Sequence, residues 1–505
     1  MTTKWHNISD TVFHYAGLHP DRLALVDGHR TFSYQALARL VGQAAVYLTN
    51  LGLKQGMPVG VAMSNSAEHI VLSLAALRVG AVLTELPTEM TDIEMAARVS
   101  RFGIVATFVD AGGPSSPAAV AVRVPRNWLE ELGLLSGDAR AVSPAEELRM
   151  IVLSSGSTGI PKGIVTTQAQ RMARVAAWSA LFHDRWSSAD PGTLILPAPP
   201  SMSLFAQFLV NQLLMGGTIV LLPKFSMASD LVTAISTWRD VICPIVPGMA
   251  RAFIESAKGK DLLFPNMRAM ISGGLPLAGY EKLDLMKRVT PNIYEVYGSG
   301  GFGAVCHLRP VDIQDHGNSV GRPISAPGNE IELVGTDDKP VGPGIEGRLR
   351  CRGPNMSVGF YNPEDNARGA EHFADGWYYP GDVLQRDEAG YFYMRGREDD
   401  AFVAGELTVY PTEIEDVIMR HPDIAEAVIV GRPNKAGGID LAGFIVGRNG
   451  LQHETVVAHC VATLPAAKRP RMIFYLDAMP RTGNGKLDRP ALKEAAIRLG
   501  EKPAG

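Results

Sequence analysis

Cysteine is scarce, with four in 505 residues: Cys243, Cys306, Cys351 and Cys460. They lie far apart and in no metal-ligand spacing, which excludes a disulfide framework and a zinc ribbon. Buried, reduced thiols are the expectation for all four, and no metal site is expected. Basic runs are missing and the formal net charge is −4, so nucleic acid is excluded as a partner. No apolar run is long enough to cross a bilayer. The most apolar region, Ser203 to Pro223, is broken by Gln207, Asn211, Gln212 and two glycines, and reads as helix, turn and strand. The opening residues, Met1-Thr-Thr-Lys-Trp-His6, lack a charged-then-apolar secretory pattern, so a cytoplasmic protein is expected. Internal repeats are also lacking. What remains is 46% hydrophobic and 20% charged, an ordinary globular composition, in a chain too long for one core.

Helix and strand alternate from Thr31 onward. Ser33 caps a helix whose apolar positions keep helical spacing through Leu51, and Gly52 stops it. Pro58–Met63 reads as a buried strand, and Asn65 with Glu68 as a capping box opening the next helix. Thr193–Pro197 and Gly217–Pro223 are further interior strands. This rhythm predicts an α/β fold with parallel sheets and helices on both faces. The glycine-rich stretch from Val334 to Tyr361 predicts a small β subdomain.

One stretch organises the rest: Ser154-Ser-Gly-Ser-Thr-Gly-Ile-Pro-Lys-Gly163, fed by the strand-like run Arg149–Leu153. Its glycines let backbone N–H groups crowd an anion, its hydroxyls add donors, and polyphosphate is the natural guest. It is not a Walker A loop, because Lys162-Gly163 reverses the required order and no Ser or Thr follows. Gly298 to Gly303 formally satisfies G-x-G-x-x-G. Proline follows soon at Pro310 and no helical period opens after it, which argues against a dinucleotide fold.

The phosphate loop resembles that of the adenylate-forming superfamily, which includes acyl-CoA synthetases. Four later stretches resemble superfamily motifs in the same order: Ser272–Leu277, Tyr294–Gly303, Gly376–Asp382 with Tyr391–Asp400, and Met479–Arg489. The resemblance implies a large N-terminal domain over 1–398, including a β subdomain at about 320–398, and a small mobile α+β lid over 399–505.

The resemblance also implies the chemistry. A carboxylic acid reacts with ATP to give acyl-AMP, and coenzyme A then takes the acyl group. Lys486 would bridge carboxylate and α-phosphate as the catalytic residue. Ser154, Ser157, Thr158, Gly159 and Lys162 would hold phosphates. Gly274, Leu275 and Pro276 would lie along the adenine edge, Tyr297 and Gly298 against its face, with Glu295 accepting from its amino group. Asp382 would accept the ribose hydroxyls and Arg397 donate beside it. Asp399 would be the hinge, and Gly405 and Glu406 would line the thiol tunnel. Pro200, Met202, Ser203, Phe205 and Phe302, with Gly300 and Gly301, suggest an apolar acyl pocket that admits a bulky group.

The departures from the pattern matter most. Gly300 and Gly301 stand where the superfamily has Thr and Glu, the latter holding Mg²⁺, and Gln168 stands where many relatives have histidine. The expectation is therefore an acyl-CoA ligase with weak or absent adenylation, working on acyl-AMP and coenzyme A, with ATP and Mg²⁺ in question. A separate adenylating enzyme would supply the acyl-AMP. A complete ATP-dependent ligase, a carrier-protein acceptor and a non-catalytic adenylate-binding protein stand as alternatives.

Overall fold

The computed structural model describes residues 7–500 except 136–140, 142–146, 148, 155–161, 183–185, 224–226, 258, 260, 405–406, 435–437, 449 and 482–486. Two large sheets dominate. In the seven-stranded sheet, Pro58–Ala62 lies between parallel neighbours Val82–Glu85 and Ala106–Asp110. In the nine-stranded sheet, Val241–Ile245, Ala269–Gly273 and Ile293–Ser299 run parallel side by side. Short apolar runs bounded by breakers form these strands because both faces of each sheet are covered.

The largest core lies between the sheets. It joins Val59, Val61 and Leu83 of one to Leu194, Leu196, Ile271 and Val296 of the other. Every residue of helix Ala67–Arg78 is buried within it, so its polar members need partners. Arg30 donates to Glu68 at 2.6 Å, His69 meets Glu85 at 2.7 Å, and the Arg78 guanidinium lies 3.7 Å from the Phe13 ring centroid.

Ser33 caps helix Tyr34–Asn50 as expected, accepting from the Ala36 N–H, and Gly52 beyond it takes φ +90°. The capping box at Asn65 does not form. Ser66 is the cap, accepting from the His69 N–H, while Glu68 binds Arg30. The Asn65 amide instead donates to the carbonyls of Leu196 and Leu222, 2.8 Å each, and so ties the two sheets together.

The expected β subdomain is a six-stranded sheet that includes Glu346–Arg352, Asp382–Arg386 and Phe392–Arg397. Gly298 to Gly303 turns between antiparallel strands Ile293–Ser299 and Gly303–Leu308, not from strand to helix. The subdomain is seated on this hairpin, because Leu349, Cys351 and Leu384 share one core with Phe302, Val305 and Cys306.

The small C-terminal domain has a three-stranded sheet, Ile424–Pro433, Ile439–Gly447 and Met472–Tyr475. One face packs on helices Pro411–Ile418 and His453–Thr463, the other on Arg489–Gly500. All four cysteines are buried and unbridged, and burial pushes the Cys243 thiol up to about 12. Among the described residues, no helix is long and apolar enough to cross a membrane.

Candidate active site

The phosphate-loop flanks are antiparallel strands, Arg149–Ser154 and Lys162–Thr167, with Ser154 opposite Lys162. Ser157, Thr158 and Gly159 lie between them, outside the described residues. Gly163 is demanded by packing: a Cβ there would meet Phe102 at 2.7 Å and Ile151 at 2.8 Å. The Lys162 ammonium sits 5.4 Å from the Phe360 ring centroid. Gln168 is fully buried. Its amide accepts from the Ile8 N–H at 2.7 Å and donates to the Leu77 carbonyl at 3.1 Å.

The ledge lies where ligands of open α/β sheets sit, beyond the carboxyl ends of parallel strands. Gly273 pairs with Val296, so the chain leaves strand Ala269–Gly273 at Gly274 directly beside the strand end that carries Tyr297. Gly274 takes φ +82°, which turns the chain sharply and leaves Gly274, Leu275 and Pro276 exposed.

Tyr297, Asp382 and Arg397 come together in one cluster. Asp382 and Arg397 are cross-strand partners in the β subdomain. The Tyr297 hydroxyl donates to Asp382 Oδ2, and Arg397 Nη1 donates to Oδ1 at 3.3 Å. Arg397 Nη2 also donates to the Pro380 carbonyl at 3.0 Å. Burial raises the Asp382 carboxyl above its ordinary range, against the lowering effect of Arg397 and Tyr297. Burial, then Asp382, keeps the Tyr297 phenol protonated. The result is a buried carboxylate with a fixed donor on each of its oxygens.

Glu295 does not belong to this group. Its carboxylate forms a buried ion pair with Lys282, whose ammonium also donates to the carbonyls of Gly317 (2.7 Å) and Ser319 (3.1 Å). That pairing holds helix Gly279–Arg288 against the strand and leaves the carboxylate unfree for an adenine.

The hairpin turn overturns a second expectation. Phe302 is fully buried in the subdomain core and lines no acyl pocket. The space that Gly301 frees is already taken: a Cβ there would stand 2.4 Å from the Tyr378 ring, whose hydroxyl is held 2.6 Å from Ser299 Oγ. A Cβ on Gly300 would meet Ile164 at 3.3 Å. The Gly301 carbonyl accepts from the Ser357 N–H at 2.7 Å, and that of Gly300 from Arg174 Nη2 at 3.2 Å. This turn offers no carboxylate, and the carbonyls of Gly300 and Gly301 are already engaged, so the two positions do not supply the clamp expected for a divalent cation.

Ser203 opens helix Ser203–Met215 and lines a cavity of about 60 Å³, whereas Met202 packs on the main core. Leu204 lies 3.2 Å from where a Gly273 Cβ would be, which brings this end of the helix to the ledge. Phe205, by contrast, is fully buried core. Asp399 sits in the turn Glu398–Asp400, directly after Arg397. Gly405, Glu406 and Lys486 lie outside the described residues. Sequence reasoning missed Tyr378, Lys282, Arg171 and Arg174. The two arginines carried a signal, since they interrupt an apolar helix face at i, i+3 spacing.

Two parallel α/β layers, a glycine-rich hairpin aimed at an Asp–Arg–Tyr cluster and a small appended domain define a nucleotide-binding enzyme of the adenylate-forming type. The chain belongs to the AMP-binding enzyme family, whose sequence model matches residues 12–361, with the AMP-binding enzyme C-terminal domain matching 413–486. It is similar to a 2-succinylbenzoate–CoA ligase of Bacillus cereus, at 28% identity over 95% of this chain and 96% of that one. Indoleacetate–CoA ligase of Aromatoleum aromaticum is 27% identical over 97% and 98%. Among solved structures, o-succinylbenzoate CoA synthetase from Bacillus subtilis, in complex with its acyl-adenylate intermediate, shares the fold. Its TM-score is 0.85 at 22% identity, covering 96% of this chain and 97% of that one.

Proposed function

We propose that this chain is an acyl-CoA ligase whose cleft holds an acyl-adenylate for attack by coenzyme A, releasing AMP. The observation that carries the reading is the Tyr297–Asp382–Arg397 cluster beside the exposed Gly274–Pro276 ledge. Asp382 can accept both ribose hydroxyls, and Arg397 supplies a fixed positive charge where the nucleotide's anionic part would lie. Transfer to the thiol needs mostly positioning, because AMP is a good leaving group. Gly405 and Glu406 are assigned to the thiol path, Lys486 to the reacting carboxylate, and Asp399 to the hinge between the domains.

Adenylation is the slower half. Joining two anions needs positive charge placed in advance, and the turn that would supply a carboxylate for Mg²⁺ is filled by Tyr378. A missing metal clamp costs several kcal/mol of transition-state stabilisation, on the order of a thousandfold in rate. A separate adenylating enzyme would then feed this one. The test supplies synthetic acyl-adenylates with coenzyme A, and in parallel the same free acids with ATP. Rapid thioester formation in the first arm with slow pyrophosphate release in the second supports the reading. No thioester from any adenylate refutes it.

A further inference from the structure

The helical turn Ala370–His372 leads into a short hairpin, Phe373–Ala374 paired with Trp377–Tyr378. Its tip residues, Asp375 and Gly376, take φ +51° and +77°, the left-handed pair that suits a tight turn between twisted strands. The pairing carries on by one residue at its open end. The Tyr379 N–H donates to the His372 carbonyl at 2.8 Å, and His372 Nδ1 donates to the Tyr379 carbonyl at 2.8 Å. A carbonyl only accepts, so this second bond fixes a proton on Nδ1 and holds the half-buried imidazole in place. The Phe360 ring packs against it edge to face, centroids 6.0 Å apart.

Nε2 is left over. Among the described residues it makes no hydrogen bond: Glu371 Oε1 is 3.9 Å away, beyond hydrogen-bond range and on a largely exposed side chain. The same ring reaches the nucleotide cluster. Gly381 takes φ +81°, and a Cβ on it would lie 3.8 Å from His372 Cε1 and 3.3 Å from Arg397 Nη2. His372 and Arg397 therefore flank the residue that immediately precedes Asp382, and Cε1 is bonded directly to the unused nitrogen. Asp382 itself is partly engaged, since Oδ2 accepts from Tyr297 and Oδ1 from Arg397. Each of its oxygens has one acceptor position fewer to offer a ligand.

A group beside Asp382 that can pair with Nε2 in either protonation state is a hydroxyl, because hydroxyls both donate and accept. A phosphate oxygen only accepts, and suits Nε2 only when that nitrogen carries a proton. We propose that His372 is a further nucleotide-positioning residue, its Nε2 completing with Asp382 the grip on the two ribose hydroxyls. The inference rests on the ligase reading, which puts the ribose at Asp382, and adds to it a residue that lies outside the sequence motifs.

Calorimetric titration of AMP, 2′-deoxy-AMP and 3′-deoxy-AMP into the parent and two variants tests it. His372→Asn keeps a donor for the Tyr379 carbonyl but has nothing at the place of Nε2, whereas His372→Gln reaches that place. Deleting one of the two hydroxyls should cost the parent about threefold to tenfold more affinity than it costs His372→Asn, with His372→Gln in between. A merely structural histidine would weaken all three nucleotides alike in His372→Asn, and that result overturns the proposal. Nitrogen NMR of the parent reads the same contact without a variant. AMP should shift the His372 Nε2 resonance, and the analogue lacking the partner hydroxyl should not; equal shifts with all three nucleotides overturn the proposal. If the parent binds none of them, the reading of the cleft as an adenylate site falls too, which distinguishes the two failures.

Discussion

Gly301 and Tyr378 show how one residue's absence is absorbed by another's presence. Reintroducing the superfamily glutamate by Gly301→Glu would drive its Cβ into a ring held by Ser299. The single variant should lose about 1–3 kcal/mol of stability by overpacking and gain no adenylation. Combined with Tyr378→Ala, which vacates the space, pyrophosphate release should rise. Denaturant melts and a pyrophosphate assay distinguish the two variants. Asp382 supplies a pH prediction. An ionised carboxylate is needed to accept ribose hydroxyls, and burial raises this group above the ordinary value of about 3.9. AMP affinity should weaken as pH falls through that raised value, and Asp382→Asn should flatten the dependence, as titration calorimetry across pH would read. Stability runs the opposite way for this residue, because the folded state binds its proton more tightly. Its unfavourable contribution grows as pH rises from the unfolded to the folded pKa. Tyr297, Asp382 and Arg397 were legible because each sits in a short motif at a strand end. Tyr378 as a filler was not, because its contact with the Gly298–Gly303 hairpin is made only by the tertiary fold. Glu295 misled for the same reason: nothing near it in the chain announces Lys282.

Elements were read best where periodicity decides. Helix Tyr34–Asn50, with its Ser33 cap and Gly52 stop, follows from apolar spacing and local hydrogen bonding. The next helix shows the limit. Asn65 and Ser66 are both good caps, and tertiary demand for a donor between Leu196 and Leu222 leaves the cap to Ser66. Asn65→Ala should therefore cost about 1–3 kcal/mol by leaving two buried carbonyls unpaired, more than loss of a cap alone typically does. Gln168 is a similar case. Standing where many relatives have histidine, it braces the N-terminal segment against helix Ala67–Arg78. Gln168→His should lower stability by about 1–3 kcal/mol and leave ATP affinity unchanged, as urea melts and nucleotide titration would show.

At the scale of the whole molecule, the βαβ rhythm made the parallel sheets legible, and the glycine-rich stretch announced the β subdomain. What it did not announce is that this subdomain and the Gly298–Gly303 hairpin share one core, and so carry Asp382 and Arg397 to Tyr297. The small domain touches the turn after Arg397, where Tyr410 packs against Gly396 and Arg489 lies 3.9 Å from Asp400. A hinge at Asp399 predicts that Asp399→Pro, which fixes φ near −65°, shifts the ratio of the two half-reaction rates, read in parallel single-turnover assays. The proposed division of labour rests on Tyr297, Asp382 and Arg397 gripping the nucleotide while Tyr378 fills the space beside Gly301. Its most direct test is the rate of pyrophosphate release from ATP and an acid set against the rate of thioester formation from the corresponding acyl-adenylate and coenzyme A. The second rate should exceed the first by about a thousandfold; equal, rapid rates would end the proposal of a thioester-only ligase.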